Sequence, residues 1–352
     1  MQTDGNRDNR YSKPLSDREG FFKAEQQNAD TADQMIIDKD AFDFSDEEIS
    51  LLSECRICPR NCGVNRFERP GACGEDVRIK VASMNLNYGE EPPISGYGQQ
   101  GSSGASSPAG SDTASTDPPG SGTIFFTGCN MACIFCQNFP ISQLHNGRYI
   151  TMDELVNAML RLQKRGAYNI NFVTPSHYAV HIIRAVTLAR EQGLSIPIVY
   201  NTSGYDSLDT LKRLKGIVDI YLTDIRYQTA ETGQKYSGVK NYPQINHLAL
   251  KEMHRQVGVL QTDDNGIATR GLIIRHLVLP ENLAETEAAL KFVAKELSPQ
   301  LHISLMSQYF PAYKALNTPP LDRRITEAEY DSACQSLEDF GLEEGWVQDL
   351  NE

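Results

Sequence analysis

Three cysteines, Cys129, Cys133 and Cys136, fall within eight residues of the stretch GTIFFTGCNMACIFCQN, at spacing C-x3-C-x2-C. Thiolates select soft or borderline metals, chiefly zinc and iron-sulfur clusters. A structural zinc site closes with four ligands, and a cluster that only carries electrons is held by four cysteines. Three thiolates on a four-iron cluster leave one iron open to a further ligand, and that vacancy suits chemistry on a bound molecule. A second group, Cys55, Cys58, Cys62 and Cys73, lies in SECRICPRNCGVNRFERPGACG with spacing x2, x3 and x10. These four thiols read as a second metal site. Four ligands could close a tetrahedral zinc, which would fold a module with little core of its own, or hold a cluster that relays electrons. The balance leans to zinc, and the lone Cys334 reads as packing.

The elements that must carry these groups follow from periodicity. Apolar, β-branched or aromatic runs predict strands at 123–127, 169–174, 197–201, 217–223, 271–279 and 301–306. Between them lie helical patterns. The first starts at Thr151 with Glu154 three residues on, a capping box, and Met152, Leu155, Val156, Met159 and Leu160 line one face. Others fit 176–193, 207–215, 244–257, 283–297 and 326–340. Six β-α repeats imply a parallel sheet with right-handed crossovers, either an open doubly wound sheet or a barrel. Both architectures place their sites at the carboxyl ends of the strands. The three-cysteine group begins two residues after the first strand, where that rule expects chemistry.

The chain has 352 residues, 40% of them apolar, enough for one large domain with attachments. Its formal charge of -13 argues against broad binding to nucleic acid or anionic membrane. Residues 1–50 hold 13 acidic and 6 basic residues, so over half of that charge lies at the amino-terminal end. No segment approaches the roughly 18 apolar residues that span a bilayer, and MQTDGNRDNRYSKPLSDREG has no apolar signal core. The expected location is the cytoplasm, where cysteines are reduced and metal ligation is favoured over disulfides. The expected organisation is a disordered acidic tail over 1–45, a cysteine-rich metal-binding module over 46–99, a Gly/Ser/Pro-rich linker over 100–121, a catalytic core over 122–340 and a carboxyl-terminal tail over 341–352. Gly96, Gly98 and Gly101 match a dinucleotide-binding pattern without the strand and helix that would frame it. His177 and His181, four apart on a predicted helix, have a metal-binding spacing, but Tyr178 stands where a metalloprotease carries Glu, and a surface or rim role is expected.

C-x3-C-x2-C, with Phe135 just before its last cysteine, in the loop after the first strand of a β-α repeat protein, resembles the signature of the radical SAM superfamily. CRICPRNCGVNR, GACG, EEPPISG, NINFVTPSH, YNTSGY, VDIYLTDIRY, LIIRHLVLP and LMSQYFP resemble, in order, segments of the subfamily related to pyruvate formate-lyase-activating enzyme, over about residues 53–340. The resemblance implies an α/β fold of a particular kind, a partial (β/α)6 TIM-like barrel with an N-terminal cysteine-rich module. It also implies a [4Fe-4S] cluster on Cys129, Cys133 and Cys136 with S-adenosylmethionine on the open iron. An electron from the reduced cluster then splits the sulfonium C–S bond to a 5'-deoxyadenosyl radical. Carried over by position, the backbone near Phe135 lies by the adenine. Ser176, Asn201, Ser203, Asp224, Arg226, Arg275 and His276 point to the same rim or its interior. Thr174, Pro175 and Ser176 stand where many relatives have a Gly-Gly-Glu segment that meets the methionine amino group. The implied partners are a flavodoxin- or ferredoxin-like electron donor and a glycyl-radical enzyme activated by hydrogen abstraction from Gly. The competing class is an iron-sulfur electron-transfer or metal-sensing protein that does not cleave SAM.

Overall fold

The computed structural model describes residues 37, 42, 44–96 and 118–350. All six expected strands form, as β2 (Ser121–Phe126), β4 (Asn169–Val173), β5 (Ile198–Thr202), β6 (Ile220–Asp224), β8 (Ala268–Leu277) and β9 (His302–Met306). They pair in parallel, in that order, each followed by a helical segment. Four further strands complete the sheet: β1 (Ile79–Asn87), β3 (Arg148–Ile150), β7 (Gln261–Thr262) and β10 (Gly345–Val347). β1 lies antiparallel between β2 and β3, β7 pairs with β8, and β10 extends the other edge parallel to β9. The order runs from β10 to β3 without closing, so the architecture is a partial barrel of β-α repeats.

Every residue of β4, β5 and β6 is buried, as strands covered on both faces must be. Their alternation divides the two faces. Tyr200, Tyr221, Leu272 and Ile274 join the large core under the helices, whereas Val199, Ile220, Leu222 and Ile273 form a smaller apolar cluster with Ile94. This second face is the concave interior, and Ile94 is its floor. The helix Met152–Lys164 shows how the outer layer is set. Thr151 and Glu154 form the expected capping box, and Leu155, Val156, Met159 and Leu162 are buried against the sheet. Leu162 takes the place expected for Leu160, which is only half-buried.

Several expected boundaries move. Within the expected 46–99 module, residues 46–96 are built into the barrel, because β1 is hydrogen-bonded to β2 and Ile94 fills the barrel floor. Part of the acidic tail expected over 1–45 packs on the body: Phe42 stacks on Phe44 at 5.4 Å and meets Phe67 edge-on, and the Ile37 amide donates to Phe67 O. The carboxyl-terminal segment from 341 is no tail, since β10 belongs to the sheet and the Tyr330 hydroxyl donates to Gln348 O at 2.6 Å. Most of the expected tail and linker, and with it Gly98 and Gly101, lies outside the described residues. No helix among the described residues is long and apolar enough to cross a membrane.

Ile94 is fully buried among side chains from three strands. Truncation to Ala leaves a cavity in the floor and is expected to lower the unfolding free energy by about 2–5 kcal/mol, read from denaturant midpoints. A loss below about 1 kcal/mol would show that the floor closes without it.

Candidate active site

The loop from Gly128 to Gln137 leaves the carboxyl end of β2 and carries the three thiols. It is held by backbone bonds to separate parts of the chain: Ala132 N to Ser237 O at 3.0 Å, Ile134 N to Tyr236 O at 2.9 Å, and Ala315 N to Ile134 O at 3.0 Å. Asn130 donates to Tyr205 O at 2.7 Å. Gly128 adopts φ +74°, and a Cβ there would lie 2.7 Å from Cys73 O and 2.6 Å from Cγ of Glu75, so the turn accepts no side chain.

Each sulfur meets a polar neighbour. The Met131 amide donates to Cys129 Sγ at 3.4 Å, the Ser237 hydroxyl donates to Cys133 Sγ at 2.9 Å, and the Ser142 hydroxyl lies 3.1 Å from Cys136 Sγ. Tyr227 backs Ser237 at 2.8 Å. Burial pushes the Cys129 and Cys133 thiols above their ordinary range, with Arg226 opposing it at Cys133. Their conversion to thiolates therefore goes with metal binding, which supplies the compensating charge.

The thiols line one cavity of about 220 Å³ together with Phe135, Ser176, Asn201, Ser203, Asp224, Arg226 and Arg275. Seven of the eight residues expected to meet the cofactor thus converge there. Period-two alternation explains the interior ones: Asn201, Asp224 and Arg275 share the strand face of Val199, Leu222 and Ile273. The same alternation excludes His276, which faces away from the cavity. Its Nδ1 meets Ile225 O at 2.8 Å and its Nε2 meets Thr286 Oγ1 at 2.9 Å. Burial depresses its pKa to about 4, so it is a neutral structural pin. His177 and His181 are likewise buried, not surface or rim groups; each bonds a backbone carbonyl, Thr127 O and Val77 O, and burial holds both near a pKa of about 3.

Asp224 is the hub of the cavity's charge. It accepts from Arg226, and from Arg275 Nε at 3.0 Å. Burial works against its charge, yet Arg275 and Arg226 hold it below the usual carboxylate range. Arg275 also donates to Asn201 Oδ1 at 2.7 Å and faces Glu90 and Glu91 at 3.9 and 3.8 Å. These two carboxylates, in the EEPPIS segment that also supplies Ile94, are not marked as site residues by the sequence, because two acids beside two prolines carry no signal of burial. Arg226 Nε is buried and has no hydrogen-bond partner among the described residues.

The donor set fits the cofactors implied above. Three thiols with hydrogen-bond donors, a cavity beside them and an unpaired guanidinium nitrogen suit a cluster and an anionic ligand.

A sequence profile of the radical SAM superfamily matches residues 123–238. An uncharacterized protein of Methanocaldococcus jannaschii is 30% identical over 336 residues, covering 87% of this chain and 85% of its own length. The chain belongs to the radical SAM superfamily. A second uncharacterized protein of the same organism is 24% identical, over 76% of this chain and 73% of its own. Among solved structures, HydG, a maturase of the [FeFe]-hydrogenase, has 13% identity and a TM-score of 0.43, covering 62% of this chain and 49% of its own. This chain therefore spans about half the length of HydG. A domain of pyruvate-formate lyase-activating enzyme from Bacteroides vulgatus has 16% identity and a TM-score of 0.34, over 49% and 92% of the two chains. As a radical SAM enzyme, the protein takes a [4Fe-4S] cluster and S-adenosylmethionine as cofactors.

Glu90 provides a pH test of the interior network. Burial and then the neighbouring Glu91 raise its pKa from 4.5 to about 7, against the pull of Arg275. The folded state therefore binds a proton that the unfolded chain has released, and this stabilisation is complete below pH 4.5 and lost as pH rises to about 7. Glu90→Gln is expected to remove that slope, so that the melting temperature of the variant gains on the parent from pH 5 to 8. Parallel melting curves across that range would contradict the assignment.

Proposed function

We propose that this radical SAM enzyme cleaves S-adenosylmethionine reductively and that the radical abstracts hydrogen from a Gly Cα of a glycyl-radical enzyme. The observation that carries the reading is the convergence of three thiols and seven other expected residues on one cavity at the carboxyl ends of the strands. When bound, a [4Fe-4S] cluster supplies the electron that breaks the sulfonium C–S bond to methionine and a 5'-deoxyadenosyl radical.

The chain's own groups supply the setting. Cys129, Cys133 and Cys136 hold the cluster, and the missing fourth cysteine leaves a position for the ligand. Arg226, through its unpaired Nε, is the donor available to a carboxylate, and Asp224 beside it is the acceptor available to an ammonium. Asn201, Ser203 and Ser176 offer neutral hydrogen-bonding groups to the rest of the molecule. Phe135, Val173, Leu277 and Met306 give the cavity an apolar wall that limits water near the reacting bond. The sheet does not close, which favours a large substrate presenting one atom at the rim. The reading includes a flavodoxin- or ferredoxin-like donor for the electron.

The test is anaerobic reconstitution with iron and sulfide, reduction with dithionite, and assay of 5'-deoxyadenosine from SAM. The parent chain is expected to form it and Cys133→Ala to form none. A candidate partner deuterated at Gly Cα is expected to pass deuterium into the product. No product from reduced, cluster-loaded protein would refute the cleavage, and deuterium acquired only from a small molecule would remove the glycyl-radical partner.

A further inference from the structure

Between the end of the helix Asp46–Ser53 and the start of β1 at Ile79, the chain forms no helix or strand, yet it is packed into the body of the protein. Cys55, Cys58 and Cys73 in this segment are buried, Cys62 is half-buried, and none forms a disulfide. The thiols are gathered by tight turns. The Gly63 amide donates to Cys55 O and the Cys55 amide to Val64 O, both at 2.9 Å. A Cβ on Gly71 would lie 3.5 Å from both Cys62 Sγ and Cys73 Sγ, so both sulfurs sit beside this glycine.

An independent observation concerns charge. Arg66 is wholly buried, and its guanidinium donates only to main-chain carbonyls, Asp76 O and His177 O. No carboxylate pairs with it among the described residues; the ionisable groups near it are the thiols of Cys73, Cys55 and Cys58, the neutral imidazoles of His177 and His181, and the Tyr178 phenol, whose ring it overlies at 5.5 Å. A buried cation without a counter-charge costs several kcal/mol. Neutral thiols do not offset it, whereas a four-thiolate metal centre carries a net charge of about -2 and does.

We infer that Cys55, Cys58, Cys62 and Cys73 hold a second iron-sulfur cluster, with Arg66 as its buried counter-charge. A cluster is favoured over one zinc ion because the segment lies directly against the triad loop, where a redox centre could relay an electron and zinc, which has no redox chemistry, could not. A cluster spreads its thiolates over several irons. The second centre lies against the first: the Cys129 amide donates to Cys73 O at 3.3 Å. Arg60, two residues after Cys58, donates to Asn130 O at 2.6 Å and Gly238 O at 2.7 Å, clamping the segment onto the triad loop.

The experiment removes the triad and asks what metal is left. The full chain carrying Cys129→Ala, Cys133→Ala and Cys136→Ala is purified and reconstituted without oxygen, then analysed for iron, sulfide and zinc. About four irons per chain with a sulfide-to-iron charge-transfer band are expected to persist. Should that variant fail to fold, Cys58→Ser with Cys73→Ser in an intact triad background gives the complementary reading, iron falling from about eight to about four per chain. No iron in the triad variant, one zinc in its place, or unchanged iron in the Cys58/Cys73 variant would overturn the inference. None of these readings depends on SAM cleavage, so failure here is distinct from failure of the proposed reaction.

Discussion

One carboxylate between two guanidiniums organises the interior of this protein. Asp224 ends β6 and engages Arg226 on the side of Cys133 and Arg275 on the side of Glu90, Glu91 and Asn201. Buried charges of this kind persist only when each is paired, because an isolated ion in a low-dielectric interior costs several kcal/mol. The pairing therefore couples the barrel floor to the thiol loop. It also leaves one donor, Arg226 Nε, without a partner at the cavity where a ligand is expected.

The second constraint is the contact between the two cysteine segments. Gly128 can turn the chain toward Cys129 only because it lacks a side chain, and what presses on it is the backbone of Cys73 and the side chain of Glu75. Glu75 in turn accepts from the Thr127 hydroxyl and meets His145 Nδ1, both at 2.8 Å. The amino-terminal cysteine segment is thus part of the wall that shapes the triad loop. A shift in either would move the other, which is why the two are better regarded as one site region than as a core with an attached module.

The six central strands were legible as short apolar and aromatic runs, and three of the helices between them, Met152–Lys164, Leu208–Leu214 and Glu327–Asp339, as stripes that begin at a capping Thr or Ser. β1, with the sequence IKVASMNLN, was hidden by polar residues on an incompletely covered strand. The helix Ala230–Ser237 was hidden by AETGQKYS, which has few apolar side chains. At the site, residue types located the rim, but adjacent residues on a strand face opposite ways. Arg275 and His276 were both expected at the ligand, and only the register of β8 shows that Arg275 reaches it while His276 is spent on Ile225 and Thr286. Glu90 and Glu91 were invisible because their role depends on a segment folding beneath strands far away in sequence.

The chemistry requires the ligand to occupy the position that three thiols leave open. Electron-nuclear double resonance of the reduced, cluster-loaded protein with SAM carrying 15N in its amino group reads that position directly. A 15N hyperfine coupling to the cluster, absent without SAM, is the predicted result. A reduced cluster whose spectrum is unchanged by SAM, with no such coupling, would contradict the account.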